Sequence, residues 1–144
     1  MEENFLITID GTMETCPDNS KDSVQLMTRG SFAQRGGVYF ITYKESEATG
    51  YAGCTTTVKV HEDGRKVSML RYGPMPSQLV IEKGTRHLCH YETGHGALSL
   101  GISADEIEPH LSAHGGTVFF SYVLDSETES ISRNSVKITV KGAV

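Results

Sequence analysis

Alternating apolar and polar positions recur along the chain in short runs. The clearest example lies in the segment 36–60, where Val38–Tyr43 and Cys54–Val60 consist mostly of β-branched and aromatic residues. The link between them, Glu45–Tyr51, is polar and contains a glycine, as hairpin loops do. The pattern therefore predicts a β-hairpin at this point.

Similar runs fill most of the remaining chain, and turns rich in Gly, Pro, Asp and Asn separate them. Short strands at regular spacing are typical of an all-β sandwich or barrel. The predicted strands are Phe5–Thr15, Asp22–Gln34, Val38–Tyr43, Cys54–Val60, Arg65–Tyr72, Gln78–Glu82, Arg86–Tyr91, Ala97–Ile102, Thr117–Asp125 and Ile131–Lys141.

One segment allows two interpretations. Ser103–Glu106 has the form of a helix capping box, which would place Ile107 and Leu111 on one face of a helix of a turn or two. Alternatively, the strand that begins at Ala97 extends towards Ile107. The residues from His110 to Gly116 are predicted to form a loop.

Tight local turns favour a barrel over a sandwich, because Greek-key sandwiches need a long crossover and closed meanders do not. We expect one all-β domain over residues 1–144. It is a single closed antiparallel up-and-down β-barrel of about 8–10 strands with little helix.

Composition narrows the class of protein. The 144 residues carry a formal net charge of −5, which argues against a general nucleic-acid binder and against attraction to anionic lipid surfaces. No apolar run reaches about 18 residues, so no transmembrane helix is expected. The three cysteines have no CxxC spacing, and the acidic N-terminus lacks the features of a secretory signal. These features predict a cytoplasmic protein with reduced thiols.

Short motifs follow one another in a fixed order: Tyr39-x-x-x-Tyr43-x-Glu45, the threonine run 55–57, Val67 with Arg71-x-Gly73, Tyr91-x-Thr93, and Phe120-x-Tyr122-x-Leu124. From about Phe5 to Val140, their order and spacing resemble the YwiB-like family of uncharacterised bacterial proteins. The resemblance implies a calycin-type β-barrel, the broad architecture of lipocalins and fatty-acid-binding proteins. It brings no established activity.

Candidate binding residues lie on two predicted strands. Alternation places Tyr43 and Glu45 on one strand face with Tyr39, and Arg71 follows on a nearby strand. If that face lines the interior, Glu45 and Arg71 can pair there. In one interpretation, Arg71 binds the carboxylate or phosphate of a ligand. In the other, the Glu45–Arg71 pair is a salt bridge between strands that closes one end of the barrel.

Tyrosines add further candidates. Tyr72, Tyr91 and Tyr122 have apolar bodies and polar tips, which suit either a pocket wall or an ordinary half-buried strand position. Thr56 points opposite to its two threonine neighbours, so its hydroxyl faces either the lumen or an exposed sheet face. The predicted ligand-binding residues are Tyr43, Glu45, Arg71, Tyr91 and Tyr122.

No catalytic residue, metal or cofactor is predicted. His87 and Cys89 share a strand face, and His110 and His114 would share one only in a helix, but neither pair has two further ligands nearby. The G-x-S-x-G, GxGxxG and P-loop motifs are missing.

Three functions fit these observations. The first is a binding module that holds a small amphipathic or anionic molecule in the barrel. The second is a packed barrel, monomeric or homodimeric, that contacts other proteins through its outer surface. A cofactor-free enzyme that uses a tyrosine or Glu45 as general acid or base is the third possibility. No nucleic-acid or membrane partner is expected.

Overall fold

The computed structural model describes residues 4–15, 20–93, 96–126 and 128–142, and it describes only the backbone where these ranges fall within 90–98. Apart from a single 3-10 turn at Glu47–Thr49, the regular structure in these ranges is β-strand. The ten strands are β1 (Phe5–Thr15), β2 (Ser20–Arg35), β3 (Val38–Lys44), β4 (Thr55–His61), β5 (Lys66–Tyr72), β6 (Ser77–Glu82), β7 (His87–Thr93), β8 (Gly96–Ser112), β9 (Gly115–Asp125) and β10 (Ser130–Gly142).

All ten strands belong to one antiparallel sheet in the order β6-β5-β4-β3-β2-β1-β10-β9-β8-β7. Apart from β6 and β7, strands that are consecutive in sequence pair with each other. One long-range ladder joins β1 to β10, from Phe5 opposite Gly142 to Thr15 opposite Ser132. The sheet curls into a nearly closed barrel. This confirms the predicted all-β, up-and-down antiparallel barrel of 8–10 strands.

The barrel has one seam, defined here as the gap between β6 and β7, which are the two end strands of the sheet. An isolated bridge from Glu82 to Thr85 begins a hairpin there, and the strands then separate. His87 Nε2 lies 2.8 Å from Glu82 Oε1 across the seam. Arg86 holds the start of β7 to the barrel wall, because its guanidinium donates to both carboxylate oxygens of Asp125.

Alternate residues of the strands fill the interior with apolar side chains. Ile7, Ile41, Val58, Phe120 and Ile138 are all fully buried and belong to one core cluster. Branched and aromatic side chains of this size can fill a small barrel without leaving a lumen.

Gly30 faces this interior opposite Tyr43. A Cβ atom at this position would lie 2.3 Å from the Thr42 carbonyl oxygen and 2.4 Å from Ile7 Cδ1. Glycine therefore allows β2 to pass closely over its neighbours.

The segment that follows Ser103 is strand, so the helical interpretation is wrong. β8 continues to Ser112, with a register shift between Ala104 and Glu106 where it pairs with β9. The ladder between β8 and β7 ends at Ile102. Pro109 lies beyond that point and pairs only with β9, so no bond to β7 is lost through its missing N–H. The predicted loop of residues 110–116 is correspondingly shorter.

In the described ranges, the model contains no helix with the length and apolar character needed to span a membrane.

Candidate functional site

A row of polar side chains crosses four strands at one end of the barrel. Tyr43 on β3 is opposite Thr56 on β4, Thr56 is opposite Arg71 on β5, and Arg71 is opposite Ser77 on β6. Directly opposite residues on neighbouring strands face the same side of a sheet. Because Tyr43 and Thr56 are buried, this row faces inward at the place where the strands end.

Glu45 joins this row from the residue after β3. Its backbone N–H donates to the Cys54 carbonyl at 2.9 Å, which continues the β3–β4 pairing by one step and keeps Glu45 on the face of Tyr43. Its side chain is only 4% exposed, and Thr56 Oγ1 donates to its Oε2 at 2.7 Å. We call Tyr43, Glu45, Thr56, Arg71 and Ser77 the polar cluster.

Arg71 is the cation of the polar cluster. Its Nε lies 3.7 Å from Glu45 Oε2, which is an ion pair but longer than a hydrogen bond. Its Nη1 donates to Ser77 Oγ at 2.9 Å. The Nε atom is itself buried and has no hydrogen-bond partner. A buried donor without an acceptor typically costs about 1–3 kcal/mol.

Tyr51 covers one face of the Arg71 guanidinium, with Cζ 3.5 Å from the centre of the ring. The loop before β4 places it there: Ser46 caps the 3-10 turn, Gly50 follows in a left-handed conformation, and the Cys54 N–H donates to the Tyr51 carbonyl. Stacking on the planar face leaves the N–H edges of the guanidinium free.

The phenol of Tyr43 is held in its protonated form. Burial raises the pKa of Tyr43 well above its ordinary value, and the neighbouring Glu45 carboxylate raises it further. The Arg71 charge and a hydrogen bond with Thr56 act in the opposite direction without cancelling the rise. Tyr43 is therefore a hydrogen-bond donor rather than a general base at neutral pH.

A cleft of about 280 Å³ opens to solvent beside the polar cluster. It is lined by Lys44, Glu45, Gly53, Cys54 and Thr55. Within this cleft, Glu45 is the member of the polar cluster that forms part of the wall.

The structure brings together most of the residues that the sequence singled out. Tyr43, Glu45 and Arg71 meet in the polar cluster, and Tyr122 is buried near enough to influence the Tyr43 phenol. Tyr91 lies on β7, but its side chain is outside the described part of the chain. Tyr72 is 58% exposed, so the interpretation of Tyr72 as a pocket residue is wrong.

Sequence reasoning missed two residues of this site. For Thr56 it left two alternatives, and the exposed sheet face is the wrong one, because Thr56 is buried. Ser77 begins a short strand, and Tyr51 lies in an irregular loop, so neither has a periodic pattern that indicates where its side chain points.

The histidine and cysteine pairs do not form a metal centre in the part of the chain that is described, where no group of three metal-ligating side chains occurs. His87 contacts Glu82, and that contact is the main reason why the pKa of Glu82 is lowered. Cys89 is buried, and burial raises the pKa of its thiol. His110 and His114 share no helix, because one lies in β8 and the other in a turn.

Comparison with known proteins identifies a family and a similar structure, and neither has a stated activity. A family model described as a domain of unknown function (DUF1934) matches residues 7–138. The crystal structure of the ywiB protein from Bacillus subtilis is similar, with a TM-score of 0.79 and 19% sequence identity over 97% of this chain and 92% of that chain. No curated protein matches the sequence.

Proposed function

Because the chain belongs to the DUF1934 family, for which no function is assigned, we propose from its geometry that it is a binding protein for a small amphipathic molecule. The polar head of this molecule binds at the barrel end formed by the polar cluster. The observation that carries the proposal is the open cleft of about 280 Å³ whose wall includes Glu45, the carboxylate of the polar cluster.

The packed interior determines how such a molecule binds. Fully buried side chains such as Phe120 and Ile41 occupy the volume that a lipocalin-like barrel offers to its ligand. The ligand therefore contacts the polar cluster at the mouth, and its apolar part lies across the open cleft rather than deep in the barrel.

A binding role suits this site better than catalysis. Tyr43 keeps its proton and Glu45 is already paired with Arg71 and Thr56, so neither is poised to remove a proton from a substrate. The described thiols, Cys54 and Cys89, are both free, which supports a cytoplasmic location for this binding.

Native mass spectrometry of gently purified protein tests the proposal. We expect a retained small molecule in the wild type and its loss in Arg71→Met. Arg29→Met is the matched control, because Arg29 is exposed on β2, and this variant should keep the molecule. Equal retention by Arg71→Met, or wild-type protein without any bound molecule, contradicts the proposal.

The packed interior also favours a second candidate, a barrel that acts through its outer surface. Met27, Met75 and Leu88 are each more than half exposed and apolar, which is typical of surfaces that contact other proteins. Sedimentation analysis of the wild type tests this candidate through the self-association of the protein. A strict monomer that retains a small molecule favours the first function.

A further inference from the structure

We propose that the seam binds an extended peptide segment as an additional strand. The peptide has apolar side chains at alternate positions and a negative charge at the end nearest the turn between β6 and β7. This inference goes beyond the proposed function, because it concerns an open edge of the sheet and a peptide, not the polar cluster and a small molecule.

The two strands that border the seam are out of phase with each other. The isolated bridge at the start of their hairpin sets a register in which Leu79 would lie opposite Leu88, and Gln78 opposite Cys89. Directly opposite residues face the same side of a sheet. Leu79 packs against the core, whereas Leu88 is 61% exposed. Gln78 is exposed, whereas Cys89 is buried. Extending the hairpin would therefore turn every side chain of one strand to the wrong face, so the seam stays open.

β6 consequently presents unpaired backbone groups to the seam. At the end of the ladder between β5 and β6, the Lys83 N–H donates to the Arg65 carbonyl, and bonding alternates along an antiparallel ladder. The N–H and C=O groups of Gln78 and Val80 therefore point away from β5, and within the described ranges no strand pairs with them. Such a row of groups at a sheet edge can receive an added strand.

An added strand does not have to break any ladder. Paired strands lie about 4.8 Å apart, so a strand inserted between β6 and β7 needs about 10 Å between them. Beyond the bridge from Glu82 to Thr85, no ladder joins these two strands in the part of the chain that the structure describes. β7 can therefore give way without losing a backbone bond to β6.

Apolar side chains on both sides of the seam determine which peptide side chains fit. Val80 on β6 and Leu88 on β7 line a cleft of about 320 Å³, together with Gln78 and Cys89. Side chains of an added strand alternate in direction, so every second one faces this cleft. Apolar residues at those positions bury against Val80 and Leu88, and this contact gives the peptide its alternating pattern.

The turn end of the seam is positively charged, although the whole chain has a net charge of −5. Lys66 lies directly opposite Glu82, and Lys83 pairs with Arg65 at the same end of the ladder. These three cations outnumber the carboxylates of Glu82 and Asp63, the latter of which accepts from the Arg65 N–H. A carboxylate at this end of a bound peptide is therefore attracted, and the attraction is strongest at low ionic strength.

Three peptides test the inference, each titrated by calorimetry into the wild-type protein at neutral pH and low salt. The first is acetyl-Glu-Thr-Val-Thr-Val-Thr-Glu-amide, which brings a carboxylate to the turn in either strand direction. The second has lysine in place of both glutamates. The third has N-methylated valines, which lack two backbone donors. We expect the first peptide to bind at least about tenfold more tightly than either of the others.

Each of the other outcomes contradicts a stated part of the inference. Equal binding of the N-methylated peptide overturns strand addition, and equal binding of the lysine peptide overturns the negative charge. Failure of the first peptide to bind overturns the whole inference and leaves the proposed small-molecule site standing.

Hydrogen exchange measured by NMR locates the bound peptide. The amides of Gln78 and Val80 should exchange at least about tenfold more slowly in the complex, because they gain strand partners. Leu88→Ser should weaken binding about tenfold through its lost apolar contact. Met27→Ser is the matched control, because Met27 is 63% exposed on β2, and this variant should bind as the wild type does. Binding without slower exchange at Gln78 and Val80 contradicts the inference.

Discussion

At the level of single residues, the polar cluster consists of groups that depend on one another. Glu45 and Arg71 are both largely buried, and each is the nearest opposite charge to the other. Ser77 accepts a hydrogen bond from Arg71, and Thr56 donates one to Glu45, from the flanking strands. The cluster is therefore a coupled unit in which removing one member leaves another without its partner.

Substitution of either charged residue alone should destabilise the protein by about 3 kcal/mol, because it leaves the other charge buried and uncompensated. The double variant Glu45→Gln/Arg71→Met should cost clearly less than the sum of the two single changes. Chemical denaturation of the three variants measures this, with the exposed Arg29→Met as control. Additive costs would show that the two side chains do not interact in solution.

The raised pKa of Tyr43 predicts a loss of stability in alkaline solution. Its folded pKa is raised, so the native state keeps a proton that the unfolded chain releases above about pH 10. The free energy of unfolding should therefore fall by up to about 1.4 kcal/mol per pH unit above that point because of Tyr43 alone. Below about pH 10, Tyr43 contributes no pH dependence to the free energy of unfolding.

Urea denaturation of the wild type and Tyr43→Phe at a series of alkaline pH values checks this expectation. The variant should show the shallower loss, and Tyr72→Phe, which changes an exposed tyrosine, should follow the wild type. Parallel curves for the wild type and Tyr43→Phe would mean that the Tyr43 phenol is not buried in solution.

At the level of elements, sequence patterns predicted the strands well and the site only in part. Alternation places Tyr39, Tyr43 and Glu45 on one strand face, because the side-chain period of a strand is fixed by its backbone, but it does not reveal which face lines the interior. The position of Tyr51 was not predictable, because it depends on the conformation of an irregular loop. The capping-box pattern at Ser103 is misleading, because pairing with β9 from Gly101 to Ser112 outweighs a local helix signal.

The seam is also an element-level feature that alternation alone does not reveal. The Lys83 N–H donates to the Arg65 carbonyl at 2.9 Å, and pairing alternates along an antiparallel ladder. The N–H groups of Leu79 and Ile81 therefore point towards β5, whereas those of Gln78 and Val80 point towards the seam. A cleft of about 320 Å³ lies beside these last two residues.

Hydrogen exchange should follow this alternation. The amides of Gln78 and Val80 should exchange about 100-fold faster than those of Leu79 and Ile81, because only the latter pair has strand partners. Consecutive amides in β4, which is paired on both sides, should show no such alternation. Uniform protection along β6, measured by NMR, would mean that β7 pairs with it in solution.

At the level of the whole molecule, the barrel combines a packed apolar interior with one polar end. The chain forms two runs of consecutive hairpins, β1–β6 and β7–β10. The ladder between β1 and β10 joins the two runs, and their other ends face each other at the seam. The interior gives stability, and the polar end supplies the groups that the proposed ligand contacts. Sequence could predict this division of roles only as two competing hypotheses, because alternation does not reveal whether a barrel is filled.

The ladder between β1 and β10 has a consequence for how the chain folds. Every other strand pairing joins sequence neighbours, so this single ladder contributes the large loop-closure entropy of the native topology. Phe5 is directly opposite Gly142, so a short linker between them and new termini at Gly84 in the seam would make every pairing a local hairpin. Such a circular permutant should reach the same barrel faster than the natural order, because its contact order is lower.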